Sequence, residues 1–326
     1  MATLGTRYNL ADYFASRDPD GGAAKITRIL KQTNEIIDDM LWMEGNLPTG
    51  HQATIETGMA ATAFRKFNQG VATSKGSVSK VTFETHQLAR RSEIDEDLAN
   101  LGGDLAGARM NNAEGHFEQM ARDFAYRLMY GSDDGEGFAG FAEYCSADTG
   151  LNNSQNVVDG LGSGSDNTSV YFVGWGRGCF GIHPKGTPPG VRHKDLGLRD
   201  ALDADNNPFQ AYVDEWKWDA GLAIPDWQYV VRIANIDVSD LVANSGSART
   251  RLLDKFTEAA YKWPSTPEKG AIYCNRDILT ALHQGATERA GSTLTVDNVD
   301  GKPVVKWLGT PIRRVDALLN TEAHIA

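Results

Sequence analysis

An α+β fold is predicted for this 326-residue chain by three observations. One long helical periodicity and shorter ones are interspersed with alternating and β-branched runs, no βαβα rhythm is present, and no internal repeat occurs. The length suits one large domain or two to three smaller ones sharing a core. Hydrophobic residues make up 41% and charged residues 23%, the balance of a globular chain and not of a disordered one. No apolar run approaches the roughly 20 residues needed to cross a bilayer. The start, MATLGTRYNLADYF, has neither the basic stretch nor the apolar core of a secretion signal, so the expectation is a protein kept in a cytoplasm, with no membrane partner.

In chain order, a polar arm ends at Asp18-Pro19-Asp20-Gly21-Gly22. From Ala23 to Leu41, Ile26, Ile29, Leu30, Ile37 and Leu41 fall at mostly helical spacings and predict an amphipathic helix. Asn46-Leu47-Pro48-Thr49-Gly50 breaks that period, and from His51 to Glu93 threonine and β-branched residues favour extended structure. Val81, Phe83 and Thr85 alternate with Thr82, Glu84 and His86, the pattern of a half-buried strand. The polar stretch NQGVATSKGS, Asn68 to Ser77, lies between the extended runs. The combination predicts a long hairpin that projects from a body.

That hairpin is basic. Between His51 and Arg91 stand Arg65, Lys66, Lys75, Lys80, Arg90 and Arg91 against Glu56 and Glu84, in a chain of formal charge −11. Such a projection is either solvated surface or a surface that lies on an acidic neighbouring subunit, where opposite charge steers docking and fixes register. The six basic residues are therefore the candidate intersubunit contacts.

The most regular helix is expected from Asp104 to Tyr130, with Ala113, Phe117, Met120, Phe124 and Leu128 on one stripe and Glu118/Arg122 and Asp123/Arg127 paired at i,i+4. Asp104 can cap its start and Gly131 can end it, while Gly107 and Gly115 weaken its first half. At ~1.5 Å per residue it would span some 40 Å. Glycine-rich loops follow, then strands over Ser169 to Gly174, Phe209 to Asp219 and Trp227 to Ile233. A helix from Ala248 to Trp263 is preceded by Ser247 and stopped by Pro264, and another runs from Arg276 to Glu288, opening at Asn275. Val304 to Leu308 and Ile312 to Leu318 read as two strands around Gly309-Thr310-Pro311.

The chemistry-bearing motifs are weak. Gly176-Arg177-Gly178-Cys179-Phe180-Gly181 has the G-x-G-x-x-G spacing of a dinucleotide loop, but Ile182-His183-Pro184-Lys185-Gly186-Thr187-Pro188-Pro189-Gly190 cannot form the helix such a loop must open. Those glycines are expected to serve turns between short strands. Cys145, Cys179 and Cys274 are far apart and form no C-x-x-C pair, so partly buried thiols are expected and not a disulfide framework or a zinc site. Cys179 with His183 and His193 could be drawn as nucleophile and base, yet lone Cys and His in a loop are far more often structural. The histidines show no H-x-x-x-H or H-E-x-x-H spacing. The tryptophans Trp175, Trp216, Trp218, Trp227, Trp263 and Trp307 are expected mostly in the core, with several anchoring subunit contacts. A charge of −11 argues against a protein that grips nucleic acid by neutralising phosphates.

Five segments carry a resemblance: LADYFASRDPDG near the start, TNEIIDDMLWMEGNLPTGH from Thr33 to His51, YFVGWGRGCFGIHPKG from Tyr171 to Gly186, WQYVVRIANID from Trp227 to Asp237 and GTPIRRVDALLNTE from Gly309 to Glu322. Together they resemble the major capsid proteins of a group of tailed phages over nearly the whole chain. The resemblance implies the HK97-like capsid fold, with an N-terminal arm and helix over residues 1–45 and an E-loop hairpin over 46–93. A peripheral domain with its spine helix would cover 94–245, and axial-domain helices and closing strands 246–326. It implies a shell protein and not an enzyme, with no cofactor, in which hexamers and pentamers of the chain itself form an icosahedral head. The partners implied are a portal, a separate scaffolding protein (fewer than about 50 residues precede the hairpin), an optional decoration protein and loosely enclosed double-stranded DNA. Assembly would take place in a bacterial host cytoplasm and the product would be a virion. The alternatives are an encapsulin-like nanocompartment shell of the same fold and, in a different class, a nucleotide-dependent enzyme using Gly176, Gly178 and Gly181.

Overall fold

The computed structural model describes residues 32–101, 104–146, 154–162, 164–203, 205–243, 246–263, 269–288, 294–299 and 302–325. The arm through Gly22, the expected helix from Ala23 to Lys31, and Pro264 lie outside the described residues. In chain order the elements are α1 (Ile36–Asp39), β1 (Trp42–Glu44), β2 (Gly50–Gly58), β3 (Ser77–Glu84), β4 (His86–Asp95), α2 (Glu96–Asn100), α3 (Leu105–Tyr130) and α4 (Phe141–Tyr144). Then come β5 (Val157–Asp159), β6 (Asn167–Trp175), β7 (Phe180–His183), β8 (Val191–Leu202), β9 (Pro208–Ala223), β10 (Val230–Asp237), α5 (Val238–Val242) and α6 (Gly246–Lys262). The last are β11 (Lys269–Cys274), α7 (Arg276–Glu288), β12 (Leu294–Val299), β13 (Lys302–Trp307) and β14 (Thr310–Arg314). The mixture is α+β. The chain divides into a smaller unit, whose main segments are Gln87–Phe124 and Gly190–Asp219, and a larger one of Thr33–His86, Ala125–Pro189 and Ala220–Ala326.

The larger unit is built on a seven-stranded mixed sheet in the order β12-β13-β14-β11-β6-β10-β5. Every residue of β6 is buried, as its apolar run SVYFVGW requires of a strand covered on both faces. Val170 and Phe172 join the core formed with α6 and α7, where the Phe256 ring meets Phe172 at 5.3 Å and Trp307 at 5.7 Å. The intervening Tyr171 and Trp175 meet Phe141 at 6.0 and 6.1 Å. The boundary expected between residues 245 and 246 falls inside this sheet, because β6 pairs antiparallel with β11. Such non-local pairing leaves no mark on local composition. Helix α7 begins as expected, Asn275 Oδ1 accepting the Ile278 N–H at 2.9 Å. The turn between β13 and β14 is two residues, Leu308 and Gly309, both with positive φ (47° and 82°), the conformation that suits a tight hairpin.

The helix expected to reach Leu41 is a single turn in its described part, and Met40 is already extended with ψ 125°. The backbone just before it is committed elsewhere. Thr33 N–H donates to Asp316 Oδ2 at 2.9 Å, Asp316 N–H to the Thr33 carbonyl at 3.0 Å, and Glu35 N–H to the Arg314 carbonyl at 3.2 Å. A clasp between the segment ahead of α1 and the one after β14 thus outcompetes helix propagation for the same groups. Beyond the turn, β1 pairs in parallel with β7.

A buried ion pair ties this unit together. Arg232 on β10 and Glu322 in the carboxy-terminal segment are 4% and 8% exposed, and Nη2 donates to Oε2 at 2.7 Å. Arg232 Nε donates to Ser169 Oγ at 2.9 Å and Nη1 to the Cys145 carbonyl at 3.3 Å. The Ser169 and Tyr130 hydroxyls in turn donate to Glu322, and Tyr130 Oη accepts the Leu319 N–H at 2.9 Å. Burial, and then the Glu322 carboxylate, push the Tyr130 phenol far above its ordinary value, so it remains a donor.

In the smaller unit β8 and β9 form a hairpin from Val191 opposite Trp218 to Leu202 opposite Pro208, with a bulge between Asp195 and Gly197. Most of α3 packs here, Phe124 lying 4.2 Å from the Trp218 ring. Asp104 caps the helix by accepting the Gly107 N–H at 2.9 Å. A Cβ at Gly107 would sit 2.2 Å from that carboxylate, so the glycine leaves room for the cap. Arg109 bridges Asp214 and Asp195, with Nη2 at 2.7 Å and 2.8 Å.

Removing Glu322 leaves Arg232 buried without its counter-charge, which costs about 3–5 kcal/mol. Glu322→Ala is accordingly expected to lose that much stability in denaturant unfolding of the unassembled chain. The double replacement Arg232→Met with Glu322→Leu should lose markedly less, since no charge is then stranded.

Candidate assembly surfaces

The hairpin of β2 and β3 is a two-stranded sheet of its own, paired from Gly50 opposite Glu84 to Gly58 opposite Ser77. Its root is fixed in the larger unit. Phe83 packs with Phe180, Ile182 and Ala223, and the His51 ring meets Phe180 edge-on at 5.4 Å. Asn46 accepts from Gln52 N–H at 2.7 Å and donates to the Gln52 carbonyl at 2.8 Å, closing the turn that enters β2. Beyond the root the support ends. Every residue from Met59 to Lys80 is exposed, and the non-strand tip covers residues 59–76, longer than the Asn68 to Ser77 expected.

That tip is not merely polar. Phe64 and Phe67 are fully exposed, Met59 is 88% exposed, and Val71 and Val78 are largely so. Arg65 and Lys66 stand between the two phenylalanines, so in Phe64-Arg65-Lys66-Phe67 two rings flank two charges. The tip has its own small framework: Arg65 Nε donates to the Gln69 carbonyl at 2.9 Å and Ser74 Oγ to the Ala61 carbonyl at 2.6 Å. The mark of the two phenylalanines in the sequence is Phe64-x-x-Phe67, directly ahead of the polar stretch that starts at Asn68.

The six basic candidates do not stay together. Arg65, Lys66 and Lys75 lie in the tip and Lys80 on β3, opposite Thr54. Arg90 and Arg91 fall on β4, a separate strand in the smaller unit. Arg90 Nε donates to His116 Nδ1 at 2.9 Å and Arg91 pairs with Glu93 at 3.2 Å. The break at Thr85, whose N–H returns to the Thr49 carbonyl at 3.0 Å, separates the two groups.

A second apolar surface lies on the first half of α3. Ala106, Met110, Ala113 and Phe117 recur at helical spacing, with Met110 66% exposed and Phe117 40%. Of the stripe expected from Ala113 to Leu128, Met120, Phe124 and Leu128 are buried and the earlier members are not. Glu114 and Glu118 stand beside the exposed part.

Nothing comparable to a catalytic centre forms around the glycine motif. Gly176 N–H donates to the Cys179 carbonyl at 3.0 Å in a turn that enters strand β7, not a helix, and the Tyr229 ring lies so close to Gly178 that a Cβ would meet it at 2.3 Å. The three cysteines are free and buried. Burial pushes the Cys145 thiol up to about 12 and the Cys179 thiol well above its ordinary value, so neither supplies a thiolate near neutrality. Among the described residues no group of three or more His, Cys, Asp or Glu could hold a metal ion, and no helix is long and apolar enough to cross a membrane.

The chain matches the family described as Major capsid protein GP7 over residues 18–326. Its structure is similar to one of bacteriophage Epsilon15, at 31% identity and a TM-score of 0.79 over 100% of this chain and 99% of that one. It is more distantly similar to the bacteriophage JBD30 capsid, at 10% identity and a TM-score of 0.49 over 92% of this chain and 93% of that one. The SrpI encapsulin complex of Synechococcus elongatus contributes a chain of which 96% is covered by 71% of this one, at 8% identity and a TM-score of 0.45. No curated protein matches.

An exposed tip without regular structure is open to proteases. Trypsin is expected to cut the unassembled chain first after Arg65, Lys66 and Lys75, before Arg90 and Arg91. Mass spectrometry of the earliest fragments reads the order.

Proposed function

The chain belongs to the Major capsid protein GP7 family and has the HK97-like phage capsid fold, and from that premise we propose that hexamers and pentamers of it close into the icosahedral head of a tailed phage around double-stranded DNA. The observation that carries the subunit mechanism is the exposed tip. A two-stranded hairpin is marginal alone in water, and one that displays Phe64 and Phe67 needs a surface to cover it. In the terms of the fold, the hairpin is the E-loop and α3 the spine helix, and the seven-stranded sheet with α6 and α7 makes the axial part.

The tip of one subunit docks on its neighbour, with the exposed Met110 and Phe117 stripe as the receiving apolar surface. Arg65 and Lys66 beside Phe64 and Phe67 match Glu114 and Glu118 beside that stripe. The apolar residues supply affinity and the charges supply orientation. An acidic chain leaves the enclosed DNA loosely held, because few phosphates are neutralised. A separate scaffolding protein, a portal and an optional decoration protein complete the particle, assembled in the host cytoplasm. The role is mechanical and needs no catalysis.

Burying a phenylalanine contributes about 1.5–3 kcal/mol. Phe64→Ser with Phe67→Ser should leave the subunit folded by circular dichroism while raising the concentration needed for assembly by roughly 100-fold or more. Unchanged shells in electron micrographs would remove the docking role. Cryo-electron microscopy of native particles tests the content: ordered DNA layers are expected, and a protein cargo would overturn that part.

A further inference from the structure

In the smaller unit the Trp216 side chain, 1% exposed, is in ring contact with two imidazoles. His193 of β8 stacks on it with ring centroids 5.5 Å apart and 18° between the planes, and His116 of α3 faces it at 5.1 Å and 33°. The two histidines have opposite partners. His193 Nε2 is 2.8 Å from Asp214 Oδ1, and because a carboxylate only accepts, the ring donates there, whether neutral or charged. Arg90 of β4 donates through Nε to His116 Nδ1 at 2.9 Å. A guanidinium cannot accept, so His116 holds this bond only as the neutral ring with its proton on Nε2.

We propose that His116 is an acid-operated latch between β4 and α3, closed while the imidazole is neutral and opened by a single proton. Charging the ring removes the only acceptor in the Arg90 contact and sets two cations against each other in a half-buried site. Another side-chain tie between these elements, from Asn112 Nδ2 to Ser92 Oγ, carries no titrating group.

The charged and titratable groups around His116 favour this direction. Arg90 faces it from β4 and Asp214 from β9, and His193 of β8 stacks on the same indole. Arg109, seven residues earlier on the same helix, is engaged with Asp214 and Asp195. Asp214 attracts a proton to His116, but its oxygens already accept from Arg109 and His193. Burial first, and then Arg90, hold the His116 pKa below its ordinary 6.5 in the folded chain. The sign follows: the stabilisation is complete above the unfolded value and is lost as the pH falls through the lower folded value.

Hydrogen-exchange mass spectrometry on the full chain in assembled particles, from pH 8 to pH 5 and corrected for intrinsic exchange, tests the latch. Protection of β4 amides is expected to be constant above the histidine range and then to fall by up to about tenfold per pH unit. His116→Gln keeps an acceptor for Arg90 and cannot titrate, so its protection should stay level. A level profile in the unaltered chain, or a parallel fall in the glutamine variant, would overturn the proposal. Should His116→Gln not fold, Arg90→Gln removes the opposing cation and should shrink the acid step, and an undiminished step would be equally fatal.

Discussion

The larger unit depends on how one buried guanidinium is satisfied. Arg232 sits on β10, within a sheet whose neighbouring strand has every residue buried, and its ion pair comes from Glu322, 90 residues later. Taking both charges out of water costs several kcal/mol per ion, so the pair adds little net stability over an apolar substitute. What it adds is specification. Ser169 from β6, Tyr130 from the end of α3, the Cys145 carbonyl and Glu322 must all arrive together for the site to be satisfied. Three distant pieces of chain bond to this one side chain and a fourth, Tyr130, is tied in through Glu322, and any alternative docking of the carboxy-terminal segment leaves a buried charge uncompensated.

The interior and the hairpin follow contrary rules. Inside, the charged groups around Arg232 find partners and aromatic rings find each other, although the indole N–H groups of Trp263 and Trp307 are buried without an acceptor. At the tip, two phenylalanines and a methionine face solvent, on a support of only two strands. A chain intended to remain alone would bury or delete those residues, and a chain that laps onto copies of itself has to show them. The charge distribution addresses the second difficulty of such a design. Copies carrying −11 repel one another at long range. Placing Arg65, Lys66 and Lys75 in the exposed tip reverses the local sign without altering the body, and in the docking proposed above it would tie the rate to ionic strength more than the final affinity.

Much of this was legible in the sequence wherever a local rule decided the outcome. Asp104 and Asn275 cap their helices as their positions require, Gly131 ends α3, and the glycine motif turns between strands because the residues after it cannot be helical. Where a distant segment decided, local reading failed. The periodicity through Leu41 is genuine, yet the residues after β14 take the backbone groups of Thr33 and Glu35. β8, with exposed residues on both faces, offered no alternation to detect. The basic count over His51 to Arg91 merged two elements, because nothing in composition marks Thr85 as the point where the chain leaves the hairpin. The exposed half of the α3 stripe was also hidden: periodicity shows which residues share a face, not whether this chain or another covers it.

The two units also differ in what their polar clusters are made of, and this bears on where a shell subunit can yield. The network around Arg232 contains a carboxylate, a guanidinium, two hydroxyls and a carbonyl, but no histidine, the side chain that ordinarily titrates near neutrality. The cluster around Trp216 contains two histidines, and one of them holds its partner only while uncharged. A proton in the histidine range therefore finds an imidazole in the Trp216 cluster and none in the network around Arg232. On the latch proposed for His116, the tie between β4 and α3 yields while the groups around Arg232 keep their partners. Rigidity and responsiveness are thereby assigned to different parts of one chain by the choice of which polar residues are buried in each.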